Sequence, residues 1–228
     1  MSRGLGDVYK RQALVYDESP VPFLITIAVT GGIGLVMWRV RAKSGGMTAR
    51  DGFLIVGLSW IAMSLFGALL FVLTGDIPNY IDALFETISG LTTTGASVVT
   101  SPESMTRGGM FWRLFTHWIG GMGILVFVLA VLPMSGNRSM HIMRAEVPGP
   151  TVGKLVPRIR KTASILYLLY IALTLVEMVL LIAGGMSFYD ALLHAFATAG
   201  TGGLSTRALS IGYYNSAYID IVVGVFMI

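Results

Sequence analysis

The amino-acid sequence predicts an all-α integral membrane protein built from helix–pore-loop–helix repeats, and three observations carry that expectation. Only 12% of the 228 residues are charged and 54% are hydrophobic, at a mean hydropathy of +0.75. A soluble domain carries about a quarter charged residues. Four apolar stretches are long enough to cross a bilayer. Finally, the stretch NYIDALFETISGLTTTGAS (79–97) returns as SFYDALLHAFATAGTGGLS (187–205), at a constant offset of 108.

Residues 1–12, MSRGLGDVYKRQ, are polar and basic and lack the apolar core of a secretory signal. They are discordant with the apolar chain after them and are read as a non-native or disordered leader. Residues 13–45 are expected to hold one preliminary transmembrane helix. Its apolar span Phe23–Val40 follows Pro20 and Pro22 and reaches roughly 27 Å at 1.5 Å per residue.

Residues 46–135 read as a first complete repeat. Gly52–Leu73 is apolar without interruption, and Thr74-Gly75-Asp76-Ile77-Pro78 breaks it. Tyr80–Leu91 then gives a helix of roughly 18 Å, too short to span and suited to a re-entrant segment. The polar stretch Val98–Gly109 leads to Met110–Leu132, a full-length span containing Trp112, Trp118 and a Gly-Gly-Met-Gly run at 120–123. Adjacent glycines there predict close backbone approach or a kink.

The link Pro133–Thr162, with 136–162 as its own unit, carries Arg138, Arg144, Lys154, Arg158, Arg160 and Lys161 against the single acid Glu146. Pro148, Pro150 and Pro157 are expected to prevent a continuous helix across it. Residues 163–228 read as a second repeat, with the span Ala163–Ala183, the break Gly184-Gly185 and the second short helix. Its last apolar run, Ala217–Ile228, has about half the length of a span, so this repeat is expected to be truncated and the chain an N-terminal fragment.

Ten of the thirteen Lys and Arg residues beyond residue 12 lie in or beside 39–51 and 133–162, while Arg107, Arg113 and Arg207 do not. The positive-inside rule makes those two links cytoplasmic and opens both Thr/Gly loops on the outer face. The basic residues lack aromatic interleaving, which argues against nucleic-acid binding. There is no cysteine, so disulfides and thiolate metal sites are excluded.

Both short helices begin with a cap and an acid one turn later, Asn79/Asp82 and Ser187/Asp190. Asp82 and Asp190 are thereby explained by capping and the helix dipole rather than by ion ligation. The loops after them supply successive carbonyls and hydroxyls, with a glycine free to take positive φ. Non-helical backbone at membrane depth is tolerated where it is buried in protein or lines a water-filled path. Rings of carbonyls replace the hydration shell of an alkali cation, and the partially negative helix C-termini favour a cation too. One such loop is as readily a packing element; two in register, on one face, favour a pore.

Glu86 and His194 hold equivalent places in the two short helices. As ionisable groups at membrane depth they are functional candidates, with bracing of the helix by hydrogen bonds the preferred role. His117 is expected to be a buried hydrogen-bonding group rather than a metal ligand, since no second ligand stands at helical spacing. The thirteen methionines read as packing. An intramembrane enzyme is the least favoured reading: Ser59, Ser64 and Ser89 lie in no G-x-S-x-G setting, and an enzyme gives no reason for the repeat. A secondary transporter with broken helices predicts an inverted repeat, whereas these two run in the same sense.

Several blocks carry a resemblance: RDGFLIVGLSW (50–60), DALFETISGLTTTGAS (82–97), HWIGGMGILV (117–126), RAEVPGP (144–150), KLVPRIRKTA (154–163) and GTGGLSTRALSIGYYNS (200–216). From about residue 13 onwards the chain resembles the Trk/Ktr/HKT superfamily of K⁺ (or Na⁺) transporters, most closely the bacterial TrkH type. The resemblance implies four repeats around one pore, of which this chain holds two, preceded by one helix of a preliminary pair. It implies a K⁺ selectivity filter at Thr93, Thr94, Gly95 and Ala96 and at Thr201, Gly202, Gly203 and Leu204. Gly95 and Gly203 match the glycine associated in that family with K⁺ permeation. The later repeats, with the family's gating loop and charged constriction, are missing here, so two loops alone are not expected to conduct selectively. The resemblance further implies a multi-pass protein of the cell inner (plasma) membrane, in contact with lipid, forming a homodimer at full length. A cytoplasmic nucleotide-binding regulatory subunit would dock from the basic side; this chain has no G-x-G-x-x-G after a strand. No cofactor is expected beyond K⁺ as the transported ion. The alternatives kept open are a cation-coupled secondary transporter and a Na⁺-permeable member of the same superfamily.

Overall fold

The computed structural model describes residues 21–39, 49–123 and 155–227, and all regular structure among them is helical. The helices in chain order are α1 (Val21–Arg39), α2 (Ala49–Thr74), α3 (Tyr80–Leu91), α4 (107–123), α5 (Leu155–Ala183), α6 (Phe188–Ala199) and α7 (Ala217–Phe226). The leader 1–12, most of the basic link with Arg138, Arg144 and Lys154, and the far part of the span Met110–Leu132 lie outside the described residues.

Two units of the same design follow one another: α2, α3, loop, α4, and then α5, α6, loop, α7. Within α2 and α5, Val56–Thr74 and Ser164–Ala183 are long and apolar enough to cross a membrane. Large apolar side chains such as Leu58, Ile61, Leu168 and Val179 stand exposed along them, as a surface facing lipid or further helices requires. The short helices α3 and α6 pack against α2 and α5 respectively, and α1 packs on α2.

The short helices start where their caps dictate. The Asn79 side chain accepts from the Ile81 amide at 3.0 Å. Ser187 Oγ accepts from the Asp190 amide at 3.1 Å, as an N-cap does, and donates to the Asp190 carboxylate at 2.9 Å. Helix α4 opens in the same way, with Thr106 Oγ1 accepting from the Gly109 amide at 3.0 Å.

Helix α5 begins at Leu155, ahead of the apolar span Ala163–Ala183, so Pro157 of the basic link lies in its first turn. A first-turn amide has no intrahelical acceptor, and losing it there costs no hydrogen bond.

Helix α4 is the spine of the molecule. Trp112 Nε1 donates to the Gly67 carbonyl of α2 at 3.0 Å, and Trp118 Nε1 donates to Thr174 of α5 at 3.2 Å. Phe111, Phe115 and Trp118 all pack on Phe196 of α6. The close approach expected of 120–123 is present. A Cβ on Gly120 would strike the Leu91 carbonyl, and one on Gly121 would come within 3.0 Å of Gly200.

Candidate functional site

The two Thr/Gly loops have the same backbone. Thr93 and Thr201 take φ of 54° and 51°, and Gly95 and Gly203 take 76° and 73°. At the end of α3, the amides of Thr92, Thr93 and Thr94 donate to the carbonyls of Ile88, Gly90 and Ser89. At the end of α6, those of Gly200, Thr201 and Gly202 donate to Phe196, Thr198 and Ala197. Every donor and acceptor is displaced by the same 108 positions. A left-handed threonine is uncommon for a β-branched residue. Its occurrence twice at one register makes the loop shape a shared feature.

Each loop is tied back to its short helix by a serine. Ser97 donates to Glu86 Oε1 at 2.9 Å and accepts from the Val99 amide at 2.9 Å. The Val98 amide donates to Glu86 Oε2 at 2.9 Å. In the second loop Ser205 Oγ lies 2.9 Å from His194 Nε2 and accepts from the Arg207 amide at 3.1 Å. His194 Nδ1 lies 2.7 Å from the Asp190 carbonyl. A carbonyl only accepts, so in the neutral ring Nδ1 carries the proton and Nε2 accepts from Ser205. Glu86 and His194 are therefore buried braces, as expected, built from different chemistry on one geometric plan.

Asp82 and Asp190 stand in the first turns of their helices. Asp190 does more than cap: it accepts from Thr206 at 3.0 Å and pairs with Arg207 at 3.6 Å, drawing the second loop's outer end onto α6.

Thr94, Ala96, Thr201 and Gly203 are exposed, and Thr93 and Gly95 are partly so. Leu204 is buried in an apolar cluster with Met110, Leu114, Leu193 and Ala197, which leaves only its backbone for an ion. The loops meet directly: a Cβ on Gly95 would collide with the Gly202 carbonyl oxygen. Among the described residues no three His, Asp or Glu side chains gather as a metal site. A cation here is left with neutral backbone and hydroxyl oxygens, which suits an alkali ion.

Two buried charged residues in the apolar spans are absent from the sequence-based candidates. Arg113 of α4 donates through Nε to Glu86 at 2.6 Å, through Nη2 to Ser97 at 2.8 Å and through Nη1 to the Ser205 carbonyl at 3.3 Å. It thus joins the short helix α3, the first loop and the second loop with one bond each. Glu177 of α5 is 1% exposed, and its buried Oε1 has no hydrogen-bond partner. The signal for both is present in the sequence: an ionisable group within an apolar span is a functional candidate by default. His117 corrects its expectation: it is fully buried, yet neither ring nitrogen has a hydrogen-bond partner.

The family model "TrkH: Cation transport protein" matches residues 22–228. The chain belongs to the TrkH family. It is 41% identical over 221 residues to the Trk system potassium uptake protein TrkH of Escherichia coli (strain K12), covering 95% of this chain and 46% of that protein. It is likewise 41% identical over 209 residues to TrkH of Halomonas elongata, covering 90% and 43%. The crystal structure of the potassium transporter TrkH from Vibrio parahaemolyticus superposes with a TM-score of 0.78 at 37% identity, over 94% of this chain and 43% of that one. The chain thus spans less than half the length of these TrkH relatives. A family of cation transport proteins, not of enzymes, accords with the all-helical membrane fold.

Proposed function

We propose that this chain supplies two of the pore-loop units of a K⁺ uptake pore, with Thr93–Ala96 and Thr201–Leu204 as two sides of its selectivity filter. The observation that carries the reading is the identity of the two loop backbones, left-handed at Thr93/Thr201 and Gly95/Gly203, brought into contact at Gly95 and Gly202. Repetition in the same sense with one loop shape is what a ring of units around an axis requires. A carrier with inverted halves gives no reason for it. K⁺ as the ion is drawn from the relatives, which are named as potassium uptake proteins.

The wider reading rests on the resemblance: four units enclosing one ion path, a homodimer, a location in the cell inner membrane, and a cytoplasmic nucleotide-binding subunit docking on the basic side. Two loops alone enclose half a ring, so conduction belongs to the complete open reading frame.

The test is ⁸⁶Rb⁺ uptake in cells deficient in K⁺ import, with the complete open reading frame and its Gly95→Ser and Gly203→Ser variants. Uptake, or preference for K⁺ over Na⁺, is expected to fall in both. Normal selective uptake in both removes the loops from the ion path and returns the carrier to first place.

A further inference from the structure

We propose that His117 is a specificity-determining positioning residue, whose imidazole holds the Gly202 peptide of the second loop against Gly95 of the first. The inference rests on the reading of these loops as an ion filter and names what sets the distance between them.

Gly202 is not a glycine for the sake of its backbone. Its neighbour Gly203 takes φ of 73°, but Gly202 is not among the positive-φ residues, so an L side chain fits its conformation. Space is what forbids one. A Cβ on Gly202 would fall into the imidazole, 2.6 Å from both Cδ2 and Cε1. A Cβ on Gly200 would meet the His117 carbonyl oxygen at 2.6 Å. On its far side, the Gly202 carbonyl oxygen fills the place where a Gly95 side chain would begin. Ring, peptide and glycine form a stack without slack. With no hydrogen bond to either nitrogen, what the buried ring contributes is its shape.

The first loop carries Thr94 where the second carries Gly202, so the wedge acts on the second loop alone. It reaches across the units, because His117 belongs to α4 of the first. Filter oxygens have to be held to within about 0.5 Å of their working places. Room behind Gly202 lets its peptide retreat and widens the passage between the loops.

The experiment uses the complete open reading frame in the same K⁺-import-deficient cells, reading ⁸⁶Rb⁺ uptake and its competition by Na⁺. His117→Ala is expected to keep uptake while its preference for K⁺ over Na⁺ falls by about fivefold or more. Gly202→Ala alone is expected to abolish uptake, and the pair H117A/G202A to recover much of it, the methyl group filling the space the ring has left. Unchanged preference in H117A overturns the proposal, as does a Gly202→Ala defect that persists undiminished in the pair. If H117A does not reach the membrane, His117→Asn takes its place: a fall in preference supports the wedge, and an unchanged preference overturns it. A wild-type protein that carries no Rb⁺ overturns the filter reading instead, so the two failures are distinguishable.

Discussion

Arg113 and Glu86 form an ion pair of 2.6 Å whose side chains are 4% and 0% exposed. The pair joins the spine helix α4 to the short helix α3. The remaining guanidinium donors run on to Ser97 and to the Ser205 carbonyl. A buried charge keeps its place only when paired, and removing one partner leaves the other uncompensated.

Glu86→Ala or Arg113→Ala is therefore expected to lower stability by about 3–5 kcal/mol. The joint replacement E86L/R113M is expected to cost less than the sum of the two single changes. Thermal unfolding of the detergent-solubilised protein, read as three melting curves, checks this. Additive losses mean that the two residues stabilise the fold independently.

The two loop glycines Gly95 and Gly203 are expected to differ in tolerance. Both have positive φ, so alanine at either is strained by about 1–2 kcal/mol. Gly203 has open space around its missing Cβ, while a Cβ on Gly95 meets the Gly202 carbonyl. Gly203→Ala should leave measurable ⁸⁶Rb⁺ uptake and Gly95→Ala none. Equal uptake by the two variants contradicts the contact between the loops.

The carboxylate of Asp76 accepts from the Thr106 amide at 2.7 Å, from the Thr106 hydroxyl at 2.6 Å and from Thr74 at 2.8 Å. Thr106 is also the cap of α4. Thr106→Ala is expected to cost about 1–2 kcal/mol, read as faster amide exchange in the first turn of α4. Exchange as slow as in the wild type shows that α4 starts without its cap.

In the segment between α3 and α4, Glu103 ties the first unit to the second. Its carboxylate accepts from the Ala208 amide at 2.7 Å, and that bond holds its pKa below the ordinary 4.5. A depressed folded-state pKa means that the contact is fully present above 4.5 and is lost as pH falls through the lowered value. The protection of the Ala208 amide, its exchange relative to an unstructured peptide at the same pH, should be lost in strong acid, and this loss with pH should vanish in Glu103→Gln. Protection that is independent of pH assigns it to some other group.

Much of this is legible in the sequence because it is local or repeated. The offset of 108 links Thr93 with Thr201 and Gly95 with Gly203, and the repeated loop takes one backbone twice. Asn79 and Ser187 cap the helices they precede, and the glycines at 120 and 121 meet their neighbours as close-packing residues do. The Arg113–Glu86 pair is not legible, since 27 positions separate its members and no helical spacing relates them. The fate of His117 is hidden for a different reason. Its surroundings are a peptide of the other unit, and sequence spacing says nothing about which backbone a ring will rest on. Helix α5 can start ahead of its apolar span because proline breaks a helix from its interior and not from its first turn.

Helix α4 ends the first unit and yet forms the backing of the second loop, through His117 behind Gly202, Gly121 beside Gly200 and Arg113 on the Ser205 carbonyl. The two units therefore share a wall: a change on the buried face of α4 alters the loop of its own unit and that of its neighbour at once.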